Sequence, residues 1–184
     1  MKRVHVFHDD NMTNPCEWGG WAVYSFSRRH SNFRHPEDLI TEAGKGATVV
    51  IRRKLETGTA FVLSYFEHGS CCWSLMGEGP QCRFDGVRVA GYLECRAEDV
   101  KQLPRGYVAR EKAARAFLEA YTAWCNGRVY NIQVVDLDEG GEEIEETLES
   151  VGDVYDVEQG ISDLISPNWR AESVPGNALA KGYY

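Results

Sequence analysis

Eleven of the 28 acidic residues lie between positions 136 and 158, a stretch that holds no Lys or Arg. Outside it, 17 acidic residues face 20 basic ones, so the formal charge of −8 belongs to one region of the chain. Glu139-Gly140-Gly141 reads as a turn between two strand-like segments, residues 128–137 and 142–148. Alternate residues of a strand stand about 6.6–7 Å apart, near the spacing of phosphates along a nucleic-acid strand. With Ile144 and Leu148 turned inward, Glu143, Glu145 and Glu149 are expected to point outward as a row of carboxylates. Such a row offers a nucleic-acid-binding protein a decoy and steers its approach by charge. The expected partner-binding residues are therefore Asp138, Glu139, Glu142, Glu143, Glu145, Glu146 and Glu149. The plainer account of the same residues is a solvated hairpin that keeps the protein soluble and blunts an edge strand. The ligand spacing of a calcium-binding EF-hand loop is missing.

Two other groups carry chemistry. His8-Asp9-Asp10 sits where a first strand feeds a loop, a place suited to a metal or an acid–base pair. A small metal-dependent hydrolase built on these three residues is the alternative reading, although no HExxH or HxH spacing accompanies them. Arg28-Arg29-His30, with Arg34, His35 and the intervening Phe26 and Phe33, forms a short basic and aromatic stretch, and Arg52-Arg53-Lys54 forms another. Cations alternating with aromatics bind single-stranded nucleic acid by charge and stacking. Direct nucleic-acid binding through Arg28, Arg29, Arg52 and Arg53 ranks third, because the patch is small and no RNP or KH motif supports it. The six cysteines (Cys16, Cys71, Cys72, Cys82, Cys95 and Cys125) contain no C-x-x-C, and read as structural free thiols in a reducing cytoplasm. No phosphate-cradling glycine motif is present, and no catalytic residue, metal ligand or cofactor is assigned.

The elements that position these residues follow from periodicity. Residues 3–7 and 21–26 are short and rich in β-branched or aromatic side chains, as strands are. Pro36 opens a short helix over residues 36–43. Residues 48–55 and 59–66 read as two paired strands about Glu56-Thr57-Gly58. In the second, Phe61, Leu63 and Tyr65 share one face while Val62, Ser64 and Phe66 share the other, the pattern of a central strand. Residues 71–75 and 87–93 are further strands. Ala114, Phe117, Leu118, Tyr121, Trp124 and Cys125 recur at helical spacing, and Gly127 follows where a helix end is expected. A last short helix is expected within residues 153–165. The expected fold is thus α+β: a mostly antiparallel sheet, one main amphipathic helix over about 108–126, and short accessory helices. Residues 1–165 are expected to form a single domain and 166–184 an irregular or mobile tail. With 43% apolar residues yet no run near the ~20 needed to cross a bilayer, no membrane association is expected. The N-terminus is too short and too soon charged for a signal peptide.

Several local patterns occur in a familiar order. Asn14-Pro15-Cys16-Glu17-Trp18 is followed by Arg28-Arg29-His30, His68-Gly69, Asp85-Gly86-Val87-Arg88-Val89-Ala90-Gly91-Tyr92, and Asn126-Gly127-Arg128-Val129-Tyr130 before the acidic turn. Over about residues 1–160 this set resembles a family of small, uncharacterised bacteriophage accessory proteins. The resemblance implies a viral accessory protein acting in the bacterial host cytoplasm, and it supplies no catalytic residue. Together with the concentrated charge, it leads to the expectation of a non-enzymatic protein that binds and inhibits a bacterial protein, a nucleic-acid-targeting defence component.

Overall fold

The computed structural model describes residues 2–26, 34–80 and 85–164. Chain contacts divide the protein into two compact units, Met1–Thr13 with Gly127–Tyr184, and Asn14–Asn126. The second is thus inserted in the sequence of the first. Strands and helices mix in both, as an α+β reading requires, and every pairing between strands is antiparallel. No described helix is long and apolar enough to cross a membrane.

The first unit is a three-stranded sheet in the order β1 (Lys2–His8), β6 (Tyr130–Leu137), β7 (Glu143–Val154), with α4 (Val157–Leu164) against it. Register pairs Val4 with Val134 and Val6 with Ile132, so these four side chains share one face. That face, with Val154 and Ile161 of α4, forms the core of the unit. The last strand runs further than its hydrophobic pattern suggests, to Val154 rather than Leu148, and α4 begins at Val157.

The second unit holds a four-stranded sheet ordered β2 (Trp21–Ser25), β5 (Gly86–Cys95), β3 (Ala60–His68), β4 (Ser70–Leu75). The two-sided apolarity of β3 fits its place between β5 and β4. All five residues of β2 are buried. On one face of the sheet α3 (Tyr107–Cys125) packs Ala114, Phe117, Leu118 and Tyr121 among Trp21, Phe61, Leu63, Trp73 and Leu93. The helix is also tied to edge strand β4 through polar groups. Thr122 Oγ1 accepts from Trp73 N–H at 3.0 Å, and Asn126, at the helix end, accepts from Cys71 N–H at 2.8 Å while donating to the Cys71 carbonyl at 2.9 Å. Asn126 thereby pairs with the backbone of edge strand β4 much as a neighbouring strand would.

The opposite face of this sheet carries Ala22 and Tyr24, packed with Leu39 of α1 (Pro36–Ala43) and Ile51 of α2 (Ala47–Thr57). Residues 48–55 are therefore helical, which corrects the strand expected there. Val49, Val50 and Ile51 carry the strand propensity, yet Ala47, Ile51, Lys54 and Leu55 are the half-buried positions, and their spacing is that of a helix. Gly58 closes the helix in the left-handed region at φ 69°, and Thr59 N–H donates back to the Lys54 carbonyl at 2.9 Å. A weak β propensity gives way to that apolar stripe and its glycine stop.

None of the five described cysteines is joined in a disulfide. Burial pushes the Cys16 thiol up and the Cys95 thiol to about 11, while a hydrogen bond with Cys71 and then burial raise Cys125. Thiols held protonated in this way are poor nucleophiles and poor metal ligands. Cys82 lies outside the described residues.

Candidate functional site

The acidic region folds as the hairpin of β6 and β7. Asp138 builds its turn: its N–H donates to the Glu142 carbonyl at 2.9 Å, and its carboxylate accepts the Glu142 N–H at 2.9 Å. Glu143 pairs across the sheet with β1, its Oε1 lying 2.8 Å from Arg3 Nη1 and 2.8 Å from His5 Nε2. Asp136 lies 3.4 Å from Lys2 Nζ. Five of the seven expected partner-binding residues, Glu139, Glu142, Glu145, Glu146 and Glu149, are exposed, and their side-chain carboxylates have no hydrogen-bonded or ionic partner among the described residues.

The row of carboxylates expected along β7 is not regular. Register runs from Asp136–Ile144 to Val134–Glu149, so five steps on β7 oppose two on β6. Within this bulge Thr147 Oγ1 accepts the Asp136 N–H at 2.8 Å and donates to the Ile144 carbonyl at 2.7 Å, doing the work of a missing backbone partner. The extra residues break the alternation of faces. Glu143 therefore stands on the face shared with Arg3 and His5, whereas Glu149 stands on the face of Val134. Leu148, expected to point inward, is 51% exposed. What the hairpin presents is a dense group of carboxylates on two faces of an edge strand rather than an evenly spaced ladder.

Pairing with Arg3 and then His5 holds the Glu143 carboxyl below the usual carboxylate range. A carboxyl depressed in the folded state stabilises the fold above its unfolded titration, and that contribution is lost as pH falls through the folded value. Glu143→Gln is therefore expected to lower the melting temperature slightly at pH 7 and by less at about pH 3, below the unfolded titration of a glutamate at about 4.3. Thermal melts at the two pH values check this. An equal loss at both would mean that packing, not charge, explains the effect.

The other two groups singled out in the sequence take different places. Asp9 accepts N–H bonds from Asn11 at 2.9 Å and from Asp153 at 2.9 Å, and so holds a second bulge of β7 where Asp153 has φ 54°. His8 Nδ1 donates to the Gly127 carbonyl at 3.1 Å, and Asp10 is an exposed turn residue. Among the described residues no group of three or more His, Cys, Asp or Glu side chains could hold a metal ion. Of the basic residues, Arg28, Arg29 and His30 lie outside the described residues, as does the 166–184 tail. Arg52 and Arg53 are exposed on α2, while Lys54, one residue on, pairs with Glu94 of β5. The helix thus separates Lys54 from the two arginines.

The second unit also contains a cleft of about 770 Å³ that no local sequence pattern marks. Its wall includes the Lys54–Glu94 pair, with the Glu94 side chain only 7% exposed. Tyr24 Oη donates to Glu42 Oε2 at 3.0 Å and accepts from Arg34 Nη1 at 3.1 Å, and burial followed by Glu42 pushes the phenol up, so it stays protonated. Arg96 donates to the Cys16 carbonyl, and Glu98 on the rim is exposed. Lys54 and Glu94 are 40 residues apart, so only the packing of α2 on β5 brings them together. No protein-family model, curated protein or solved structure gives a significant match to the chain.

Proposed function

We propose that the protein is a non-enzymatic accessory protein of the bacteriophage type, which acts in the bacterial cytoplasm by binding and inhibiting a host protein. The target is one that handles nucleic acid and therefore presents a basic surface. The observation that carries this reading is the set of five exposed carboxylates, Glu139, Glu142, Glu145, Glu146 and Glu149, without a countercharge on one hairpin. Like charges so placed repel one another in the free protein, and a cationic surface relieves that repulsion. The contribution is to encounter above all, since rim charges govern association rate and specificity more than final affinity. A second reading is favoured by the bulges of β7: charge and irregularity on an edge strand are also how sheets avoid pairing with other chains.

Affinity purification from bacteria that make the protein, followed by mass spectrometry, supplies the partner. The decisive variant carries Glu142→Lys, Glu145→Lys, Glu146→Lys and Glu149→Lys, leaving the Glu143 pairing and the Asp138 turn intact. It is expected to keep its circular dichroism spectrum and to associate with the partner at least about tenfold more slowly at low salt, with the wild-type rate falling toward it as salt rises. Normal association by the folded variant would leave the hairpin with edge protection alone.

A further inference from the structure

We infer that the cleft of the second unit is a binding site for a small zwitterion, a ligand that carries both an ammonium and a carboxylate, of the class of short peptides. The inference is independent of the acidic hairpin, which belongs to the other unit. A cleft of about 770 Å³ is within the range of small-ligand sites, which run to roughly 300–1,000 Å³. Its wall holds a carboxylate, Glu94, that is almost wholly buried and answered by Lys54. Burying such a pair costs desolvation that an apolar pair would avoid, so the fold gains little from it as a structural device. At the wall of an open cleft, however, the same pair presents a fixed dipole to a ligand.

The charges of the lining select the ligand class. Arg34, Lys54 and Arg96 stand against Glu42, Glu94 and Glu98, three of each sign. A polyanion such as a nucleotide would meet three carboxylates, and a polyamine would meet three cations; each such juxtaposition disfavours binding. A neutral ligand would strip water from charged groups and return nothing for it. A zwitterion answers both signs. Internal pairing narrows the recognition further. Arg34 and Glu42 are tied to each other and to Tyr24, and Lys54 is tied to Glu94. Glu98 has no partner among the described residues, and Arg96 gives one nitrogen to the Cys16 carbonyl and keeps the rest of its guanidinium available. Glu98 is thus placed to take the ligand's ammonium, and Arg96 its carboxylate. Leu39, Ala43 and Val50 supply the apolar part of the lining, suited to small aliphatic side chains.

The test is a titration of the full-length, isotope-labelled protein with trialanine, followed by amide chemical shifts. Saturable shifts are expected at Lys54, Glu94, Arg96 and Glu98, and N-acetyl-trialanine and trialanine amide are each expected to bind at least about tenfold more weakly. Glu98→Gln, an exposed change that leaves the fold alone, is expected to weaken trialanine by about tenfold while leaving the spectrum elsewhere unchanged. No saturable shift with trialanine at about 10 mM would overturn the inference. Equal binding of the blocked peptides would overturn it too, as would saturable binding of ATP or spermidine in place of trialanine.

Discussion

Gly91→Ala is expected to unfold the second unit at physiological temperature or to leave it insoluble. Gly91 sits in β5 opposite Ser25 of β2 on one side and Leu63 of β3 on the other. A Cβ at this position would overlap the carbonyl oxygen of Tyr24 and stand 3.0 Å from Ser25 Cα. Both are backbone atoms of a strand buried along its whole length, so no side chain can swing aside to make room. The strand would have to move, and its ladder to β5 would break where the Phe26 N–H donates to the Ala90 carbonyl at 2.9 Å. Overpacking costs about 1–3 kcal/mol, occasionally more, and each lost hydrogen bond adds about 0.5–1.5 kcal/mol. Against a total stability of about 5–15 kcal/mol the sum is large. A fall of at least about 10 °C in melting temperature is expected. Gly69→Ala provides the control: its added Cβ meets open space, and its φ of 77° alone accounts for about 1–2 kcal/mol. If the two variants melt alike, β2 and β5 do not approach as closely as the register requires.

Gly91 shows how far a sequence can be read. Within a strand a lone glycine marks a close approach or a bend, but nothing local says which chain approaches. The elements that were legible carry their reason for folding within themselves. The α3 stripe repeats at helical spacing through about three turns, β3 is apolar on both faces because both faces are covered, and Pro36 fixes the first turn of α1. By contrast, α2 carries four consecutive β-branched residues, Thr48 to Ile51, and its helical state rests on packing Ile51 beneath it and on Gly58 stopping it. The bulges of β7 are set by Thr147 and Asp153, single polar residues whose role is visible only when Asp136 N–H and the Asp9 carboxylate are found beside them.

The same division runs through the candidate sites. The acidic hairpin was visible because charge density is a property of consecutive residues. Which of its carboxylates are free was not, because Arg3 and His5 reach Glu143 from the other end of the chain. The cleft was invisible for the same reason. Its Tyr24, Lys54 and Glu94 come from three elements, and no spacing rule joins a strand, a helix and a second strand at long separation. Sites assembled across the fold are read from contacts; sites assembled along the chain are read from sequence.

Phe117→Ala is expected to destabilise the second unit by about 3–5 kcal/mol, the cost of removing an aromatic ring from a packed core. Phe117 stacks on Tyr121 at 5.8 Å with an interplanar angle of 14°, and Tyr121 continues to Trp124 at 5.7 Å. Tyr121 also meets Trp73 of β4 edge-on at 6.1 Å. The ring of Phe117 is thus one end of an aromatic row that joins α3 to the sheet, and aromatic pairs of this kind add about 0.5–1.5 kcal/mol beyond the area they bury. Its neighbours Ala114 and Leu118 are buried, and α3 is further held by Thr122 and Asn126, so the helix cannot slide to fill the cavity. A void that cannot collapse belongs at the upper end of the range. Urea denaturation followed by tryptophan fluorescence reads the effect, since Trp73 and Trp124 flank the same row. A shifted midpoint at unchanged slope is the expected result. A loss below about 1 kcal/mol would show that this face of α3 is not the one that closes the core.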